Sequence, residues 1–374
     1  MMKIKLSTIF LPIFCLVLTI AFAFYSYPAA GAQTVPGTKK TPTPTPPVIK
    51  SSVPPTATPT ATPNPDDEVI RIDTQEVTLN VRVVDRNNRP VNNLPESAFK
   101  VYEDNNLQTL TSFSKAEVPT NYALVIDNSG SLRGQLDKVI EASKIIVGTN
   151  RPDDDTSVIR FVNSDKIEVT QDFTSNKNDL DDALDNLFIE GGQTAIIDAV
   201  YLAAEKTDQY EKSSDPNDKK RRALILVSDG EDRDSFYKEQ QLFQLLRETD
   251  VQIYTVGFIN ELDKSGGFVS KSPQAKAKSL LERLASETGG KSYFPNSVNE
   301  LNDIAKDISS ELRTQYLLSY SPTENEGNAA FRNIKVTIDD GPNNQKRIAI
   351  TRSGRTVAPP KSGNKPAQQK PTKP

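Results

Sequence analysis

Histidine is absent from this chain of 374 residues, and cysteine occurs only once, as Cys15. Without histidine, the chain has no imidazole for acid–base catalysis, for activation of a nucleophile or for zinc binding. Cys15 lies in an N-terminal apolar stretch, so removal of that stretch would leave no thiol for disulfides, metal binding or nucleophilic attack. Metal sites built from oxygen ligands remain possible.

Apolar residues are also modest in number, at 36% of the chain. Most of the 26 prolines lie in residues 28–66 and 353–374, which indicates that these flanks do not form a core. The middle of the chain, about 67–352, is long enough to bury one. The net charge of −4 includes a basic C-terminal end, so the body of the protein is more acidic than this total. An acidic body argues against nucleic-acid binding by the folded part.

Residues 1–32 have the pattern of an export signal. Lys3 and Lys5 precede a mostly apolar stretch, and Ala30-Gly31-Ala32 provides a small-residue cleavage site. An uncleaved membrane anchor is the alternative, although the apolar stretch 9–24 is shorter than the roughly 20 residues of a typical transmembrane helix. Either outcome predicts an extracytoplasmic protein, which is secreted, periplasmic or attached to the cell surface.

The segments that border the folded part differ in composition. Residues 33–66 are rich in proline and threonine, which predicts an extended, semi-rigid linker of the polyproline II type. Residues 353–374 carry five basic residues and no acidic one, and they are predicted to be a disordered basic tail. Contact between this tail and an anionic surface is the alternative interpretation.

The folded part has a β–α/β–β organisation. Residues 67–118 and 316–352 show alternating apolar and polar positions, and we expect them to pack together as one small β-sandwich-like element. Residues 119–315 alternate strand and helix patterns, which favours a Rossmann-like, doubly wound, mostly parallel sheet with helices on both faces. The predicted strands are 121–127, 156–162, 166–173, 222–228, 252–259 and 291–294, and the predicted helices are 135–147, 177–188, 194–210, 235–248, 274–287 and 297–314.

Three polar loops follow strands or precede helices in the α/β region. The buried-type strand 122–126 runs into Asp127-Asn128-Ser129-Gly130-Ser131, and the apolar run 223–227 runs into Ser228-Asp229-Gly230. A third loop, Gly191-Gly192-Gln193-Thr194, leads into a helix. Open α/β sheets bind their ligands at the carboxyl ends of strands. Hydroxyl and carboxylate oxygens suit Mg²⁺, with Mn²⁺ or Ca²⁺ as alternatives. Each loop taken alone could instead be a turn or a helix cap.

The three motifs together resemble the metal-ion-dependent adhesion site (MIDAS) of von Willebrand factor type A (VWA) domains. The resemblance covers about residues 120–315 and implies a protein partner that supplies a carboxylate to the metal. The metal-site residues that it implies are Asp127, Ser129, Ser131, Thr194 and Asp229. The flanking β segments are similar to the bacterial VWFA-related, Acidobacterial-type group. That group often ends with a tyrosine where this chain has Arg355.

Our leading hypothesis is therefore a non-enzymatic, extracytoplasmic module for metal-dependent protein binding and adhesion. A structural spacer whose metal braces the fold is one alternative. A metal-dependent hydrolase is another, although no general base is evident. Among the acidic residues near the site, we expect Glu231, Asp232 and Asp234 to form a solvated loop. We expect Asp198 to make an internal hydrogen bond.

Overall fold

The computed structural model describes residues 46–51, 76–115, 118–211, 220–260, 262, 271–323 and 331–356. The predicted export signal, most of the predicted linker and most of the predicted tail lie outside these described residues. Within the ranges above, no helix has the length and apolar character needed to cross a membrane.

Strands and helices follow the predicted order in the part of the chain that the structure describes. The strands are β1 Lys50–Ser51, β2 Val77–Asp85, β3 Phe99–Glu103, β4 Asn106–Gln108, β5 Leu110–Ser114, β6 Thr120–Asp127, β7 Asp155–Phe161, β8 Ile167–Thr174, β9 Arg221–Ser228, β10 Val251–Gly257, β11 Ser292–Tyr293, β12 Tyr316–Tyr320, β13 Phe331–Ile338, β14 Arg347–Ile350 and β15 Gly354–Thr356. The α-helices are α1 Leu136–Gly148, α2 Lys177–Asp185, α3 Ile196–Gln209, α4 Glu239–Glu248, α5 Pro273–Thr288 and α6 Leu301–Arg313.

A seven-stranded sheet forms the centre of the α/β domain, in the spatial order β1-β8-β7-β6-β9-β10-β11. Neighbouring strands are parallel except for β7 and β8, which are antiparallel. Strand β6, the middle strand, is buried along its whole length, as expected for a parallel strand that is covered on both faces.

Helices cover both faces of this sheet. Helices α3, α4 and α5 pack on one face around apolar side chains such as Ile159 and Leu224. Helices α1, α2 and α6 pack on the other face around Leu124 and Ile225. Because neighbouring residues of a strand point to opposite faces, each buried strand supplies both cores. The predicted doubly wound, mostly parallel fold is therefore confirmed.

Two four-stranded antiparallel sheets form the β element beside the α/β domain. Their strand orders are β14-β2-β12-β5 and β15-β13-β3-β4, so each sheet combines strands from before and after the α/β domain. Leu79 and Leu318 of the first sheet share one buried cluster with Val101 and Val336 of the second. The sandwich therefore needs both flanking segments of the chain for its core, as the predicted fold class requires.

Two of the predicted boundaries differ from the structure. The predicted linker 33–66 contains strand β1, which pairs with β8 and forms the edge of the sheet. This pairing satisfies backbone groups of β8 that would otherwise lack a neighbouring strand. The predicted tail 353–374 begins with strand β15, which pairs with β13. Arg355 is buried there because its guanidinium donates hydrogen bonds to the Glu103 carboxylate.

Candidate metal centre

Asp127 is the last residue of β6, and its side chain is completely buried. One carboxylate oxygen accepts a hydrogen bond from the backbone amide of Ser129 at 2.9 Å. The other oxygen accepts one from the Ser228 hydroxyl at 2.7 Å. Burial, together with the nearby negative charge of Asp229, raises the pKa of Asp127 to about 6. The strand thus ends in a carboxylate whose negative charge lacks a cationic partner among the described residues.

Ser129 and Ser131 lie in the turn that follows, which includes a short 3-10 helix at Gly130–Leu132. Their hydroxyl oxygens are 2.9 Å apart, with Ser129 buried and Ser131 exposed. Neither hydroxyl caps a helix, because Ser129 makes no capping hydrogen bond and Gln135 occupies the N-cap of α1. The capping alternative from the sequence therefore does not account for these two serines.

The loop that carries Thr194 contacts this turn directly. The backbone amide of Glu190 donates to the carbonyl of Asn128 at 3.0 Å, and the Asn128 side chain donates to the carbonyl of Phe188 at 2.7 Å. Gly192 has a φ of +131°, and a Cβ there would lie 2.6 Å from Val162 Cγ1. Only glycine fits this crowded, left-handed position, which brings the chain round to Thr194.

Thr194 is buried just before α3, but it does not cap that helix. The N-cap residue is Ala195, and the Ile197 amide is bound by the Asp232 carboxylate at 3.1 Å. The Thr194 carbonyl accepts hydrogen bonds from the amides of Arg233 and Asp234, at 2.8 and 3.2 Å. The Thr194 loop is therefore tied to the loop that follows β9.

Asp229 opens that third loop, immediately after β9, and is also buried. One of its carboxylate oxygens accepts a hydrogen bond from the Glu231 amide at 2.9 Å. The Ser228 hydroxyl joins this loop to the first one, since it donates to Asp127 and accepts from the Gly230 amide. Each of the three loops thus contacts the other two. All five predicted site residues lie on these loops, at the carboxyl ends of the central strands β6 and β9.

This group of residues offers three hydroxyls and two carboxylates. No group of three or more acidic, histidine or cysteine residues that could hold a metal occurs in the described ranges. A cation at this edge would therefore depend on neutral hydroxyl oxygens together with Asp127 and Asp229. Such a donor set fits a hard divalent cation, which would also balance the buried negative charge.

Three residues beside the candidate site compare differently with their sequence-based predictions. The bridging role of Ser228 was not predicted, although its position beside Asp229 places it near the site. The prediction of a solvated acidic loop is wrong for Asp232, which is partly buried and accepts hydrogen bonds from the Ile197 amide and from the Ser235 hydroxyl. The predicted internal bonding of Asp198 is confirmed, because its carboxylate accepts from the Ser164 hydroxyl at 2.6 Å.

The sequence of residues 121–307 matches the family model of the von Willebrand factor type A domain. No curated protein matches the chain. Among solved structures, proximal thread matrix protein 1 from the mussel byssus, with a zinc-occupied MIDAS motif, is 19% identical with a TM-score of 0.41. The alignment covers 53% of this chain and 48% of that one, so this chain spans about half the length of that protein.

Two bacterial structures are similar at comparable levels. A von Willebrand factor type A protein from Catenulispora acidiphila is 10% identical, with 68% of this chain and 73% of that chain covered and a TM-score of 0.41. An aerotolerance-related membrane protein from Bacteroides fragilis is 18% identical, with 52% and 98% covered and a TM-score of 0.37. The family assignment rests on the sequence match rather than on these low structural scores.

Proposed function

This chain belongs to the von Willebrand factor type A domain family, and from that membership we propose that it is a metal-dependent protein-binding module. The observation that carries the proposal is the meeting of three loops that bring two buried carboxylates and three hydroxyls to one sheet edge. The residues that would hold a divalent cation (Mg²⁺, Mn²⁺ or Ca²⁺) are Asp127, Ser129, Ser131, Thr194 and Asp229.

A bound divalent cation would supply an electrophilic centre that attracts a carboxylate of a protein partner. The chain's own residues hold the site in shape before any partner arrives. The Ser228 hydroxyl fixes the Asp127 carboxylate, and the Thr194 carbonyl fastens the third loop through the Arg233 and Asp234 amides. Because three of the five residues offer neutral hydroxyl oxygens, a divalent cation here would stay electrophilic enough to accept a partner's carboxylate.

We further propose that this site binds rather than catalyses and that it acts outside the cytoplasm. The absence of histidine from the sequence removes the commonest general base. Asp127 is a poor general base in this position, because it is buried and both of its oxygens accept hydrogen bonds. The extracytoplasmic location rests on the export-type pattern of residues 1–32. The same segment would attach the protein to a membrane if it stays uncleaved.

The test is capture of envelope proteins by the full chain, in Mg²⁺ and in EDTA. The site variant is Asp127→Ala, and the matched control is Asp303→Ala, which removes an aspartate that is 88% exposed on α6. We expect wild type and control to retain the same partner in Mg²⁺ and to release it in EDTA, and the site variant to retain none. Equal capture by all three proteins under both conditions would reject metal-dependent binding.

The spacer alternative predicts a different result in the same experiment. If the metal only braces the fold, EDTA lowers the unfolding temperature but leaves partner capture unchanged at temperatures where the protein stays folded. Thermal unfolding measured in both buffers therefore separates the two functions.

A further inference from the structure

A groove with a volume of about 540 Å³ lies beside the candidate metal centre. One wall is formed by Gly230, Glu231 and Asp232, which follow Asp229 directly in the chain. The opposite wall is helix α5. The volume falls within the range of roughly 300–1,000 Å³ that is typical of ligand pockets.

Helix α5 presents one face to this groove. Most of its lining residues are spaced three and four positions apart, which places them on one side of the helix: Pro273, Lys276, Ala277, Ser279, Leu280 and Arg283. Ala277 is buried, and it forms an apolar floor together with Ile197 at the start of α3. Apolar side chains of a ligand would find contacts on this floor.

Two of the three acidic groups that line the groove are paired with arginines. Glu239 forms an ion pair with Arg283, and Glu231 forms one with Arg233. Asp232 accepts hydrogen bonds from the start of α3. Glu231 and Glu239 therefore need no cation from a ligand, and Asp232 is held by neutral hydrogen-bond donors.

The lysines of the groove are not balanced in this way. Lys276 is exposed, and its ammonium forms neither a hydrogen bond nor an ion pair within the part of the chain that the structure describes. Among the described residues, the Lys271 ammonium has only a long contact of 3.5 Å to the Ser279 hydroxyl. Against the one carboxylate without an arginine, that of Asp232, these two lysines leave the described lining with an excess of positive charge.

We propose that this groove binds an extended acidic segment of the protein partner, adjacent to the carboxylate that approaches the metal centre. This inference rests on the proposed function and adds a specificity. The partner segment combines acidic side chains, which pair with Lys276 and Lys271, with apolar side chains on the Ala277 floor. The C-terminal end of this chain is a poor occupant, since residues 357–374 carry four lysines and no acidic residue.

The experiment measures binding of a fluorescein-labelled peptide of alternating aspartate and leucine to the full chain in Mg²⁺. Lys276→Glu reverses a charge in the groove. Lys278→Glu makes the same change two positions along α5, at a lysine outside the groove that pairs with Glu282. We expect Lys276→Glu to weaken binding roughly tenfold and Lys278→Glu to change it less than about twofold. A peptide with asparagine in place of aspartate should bind far more weakly to the wild type.

Equal weakening by both variants, or no binding of the acidic peptide at millimolar concentration, would overturn the groove proposal. Binding that appears only after Asp66, Asp67 and Glu68 are neutralised would also overturn it, because the chain's own acidic segment would then be the occupant. The metal centre is monitored separately, by the Mg²⁺-induced rise in unfolding temperature. If that rise is missing in wild type while Lys276→Glu still selectively weakens the peptide, the metal proposal fails and the groove proposal stands.

Discussion

At the scale of single residues, Asp127 combines complete burial with a negative charge at neutral pH. Burial raises its folded-state pKa to about 6, well above the ordinary value of 3.8. For an acid whose pKa is raised on folding, the ionised form destabilises the fold above the folded pKa. This cost fades as the pH falls from about 6 towards 4, where the proton is also bound in the unfolded chain. Without metal, the ionised Asp127 therefore lowers the free energy of unfolding most at alkaline pH.

We predict that Asp127→Asn stabilises the protein in EDTA at pH 8, by up to about 3 kcal/mol, because it removes the buried charge. An amide retains an acceptor for the Ser129 amide and can donate to the Ser228 hydroxyl. The gain should shrink at pH 4.5, and Mg²⁺ should stabilise the wild type but not the variant. Urea unfolding at both pH values measures this. A variant that is equally destabilised at both pH values would contradict the prediction.

A substitution at Gly192 tests the backbone conformation of the loop that leads to Thr194. A Cβ at Gly192 meets Val162 at 2.6 Å, whereas one at Gly191 meets nothing within 4 Å, and both residues have positive φ. We therefore predict that Gly192→Ala destabilises the fold by about 1–3 kcal/mol more than Gly191→Ala, since only the first adds a clash to the strained φ. Chemical denaturation of the two variants checks the difference, and equal losses would contradict it.

At the scale of elements, most strands and helices of the α/β domain were predictable because their apolar patterns are long. The strand at 121–127 and the helix at 135–147, for example, lie within one residue of β6 and α1 at each end. Strands β1 and β15 were not predictable, since two or three residues carry no periodicity. Both are decided by partners that are distant in sequence: the open edge of β8 and the buried carboxylate of Glu103.

The pairing of Glu103 with Arg355 is the contact that makes β15 part of the sandwich. We predict that Arg355→Met destabilises the fold by about 3–5 kcal/mol, because it leaves a buried carboxylate without its cation. The double variant Arg355→Met/Glu103→Met should lose much less, since no unpaired charge remains. Urea denaturation of the three proteins provides the double-mutant cycle. Additive losses in the double variant would show that the two side chains act independently.

At the scale of the whole molecule, the three loops that carry the candidate site residues were predictable from short motifs. The packing of the β-sandwich against the α/β domain, the two lobes of the protein, was not. Arg82 on β2 of the sandwich forms a buried ion pair with Glu311 on α6 of the α/β domain, at 2.9 Å. The buried Arg221 of β9 donates to the Asn80 side chain on β2 at 3.1 Å. These contacts depend on how the lobes pack, which no local pattern encodes.

The buried contacts between the lobes predict that both unfold together. Amide hydrogen exchange should give the same opening free energy for the core strands β2 and β12 as for β6 and β9. Among the described residues, Arg82→Met leaves Glu311 with only the longer contact to Lys291, at 3.6 Å. The substitution should lower the opening free energy by about 3 kcal/mol in both lobes. The exposed pair of Lys100 and Asp339 lies within the sandwich, so Lys100→Met serves as the control, with a loss below about 1 kcal/mol. If Arg82→Met accelerated exchange in the sandwich alone, the lobes would be independent folding units, and the metal centre would not depend on the sandwich for its stability.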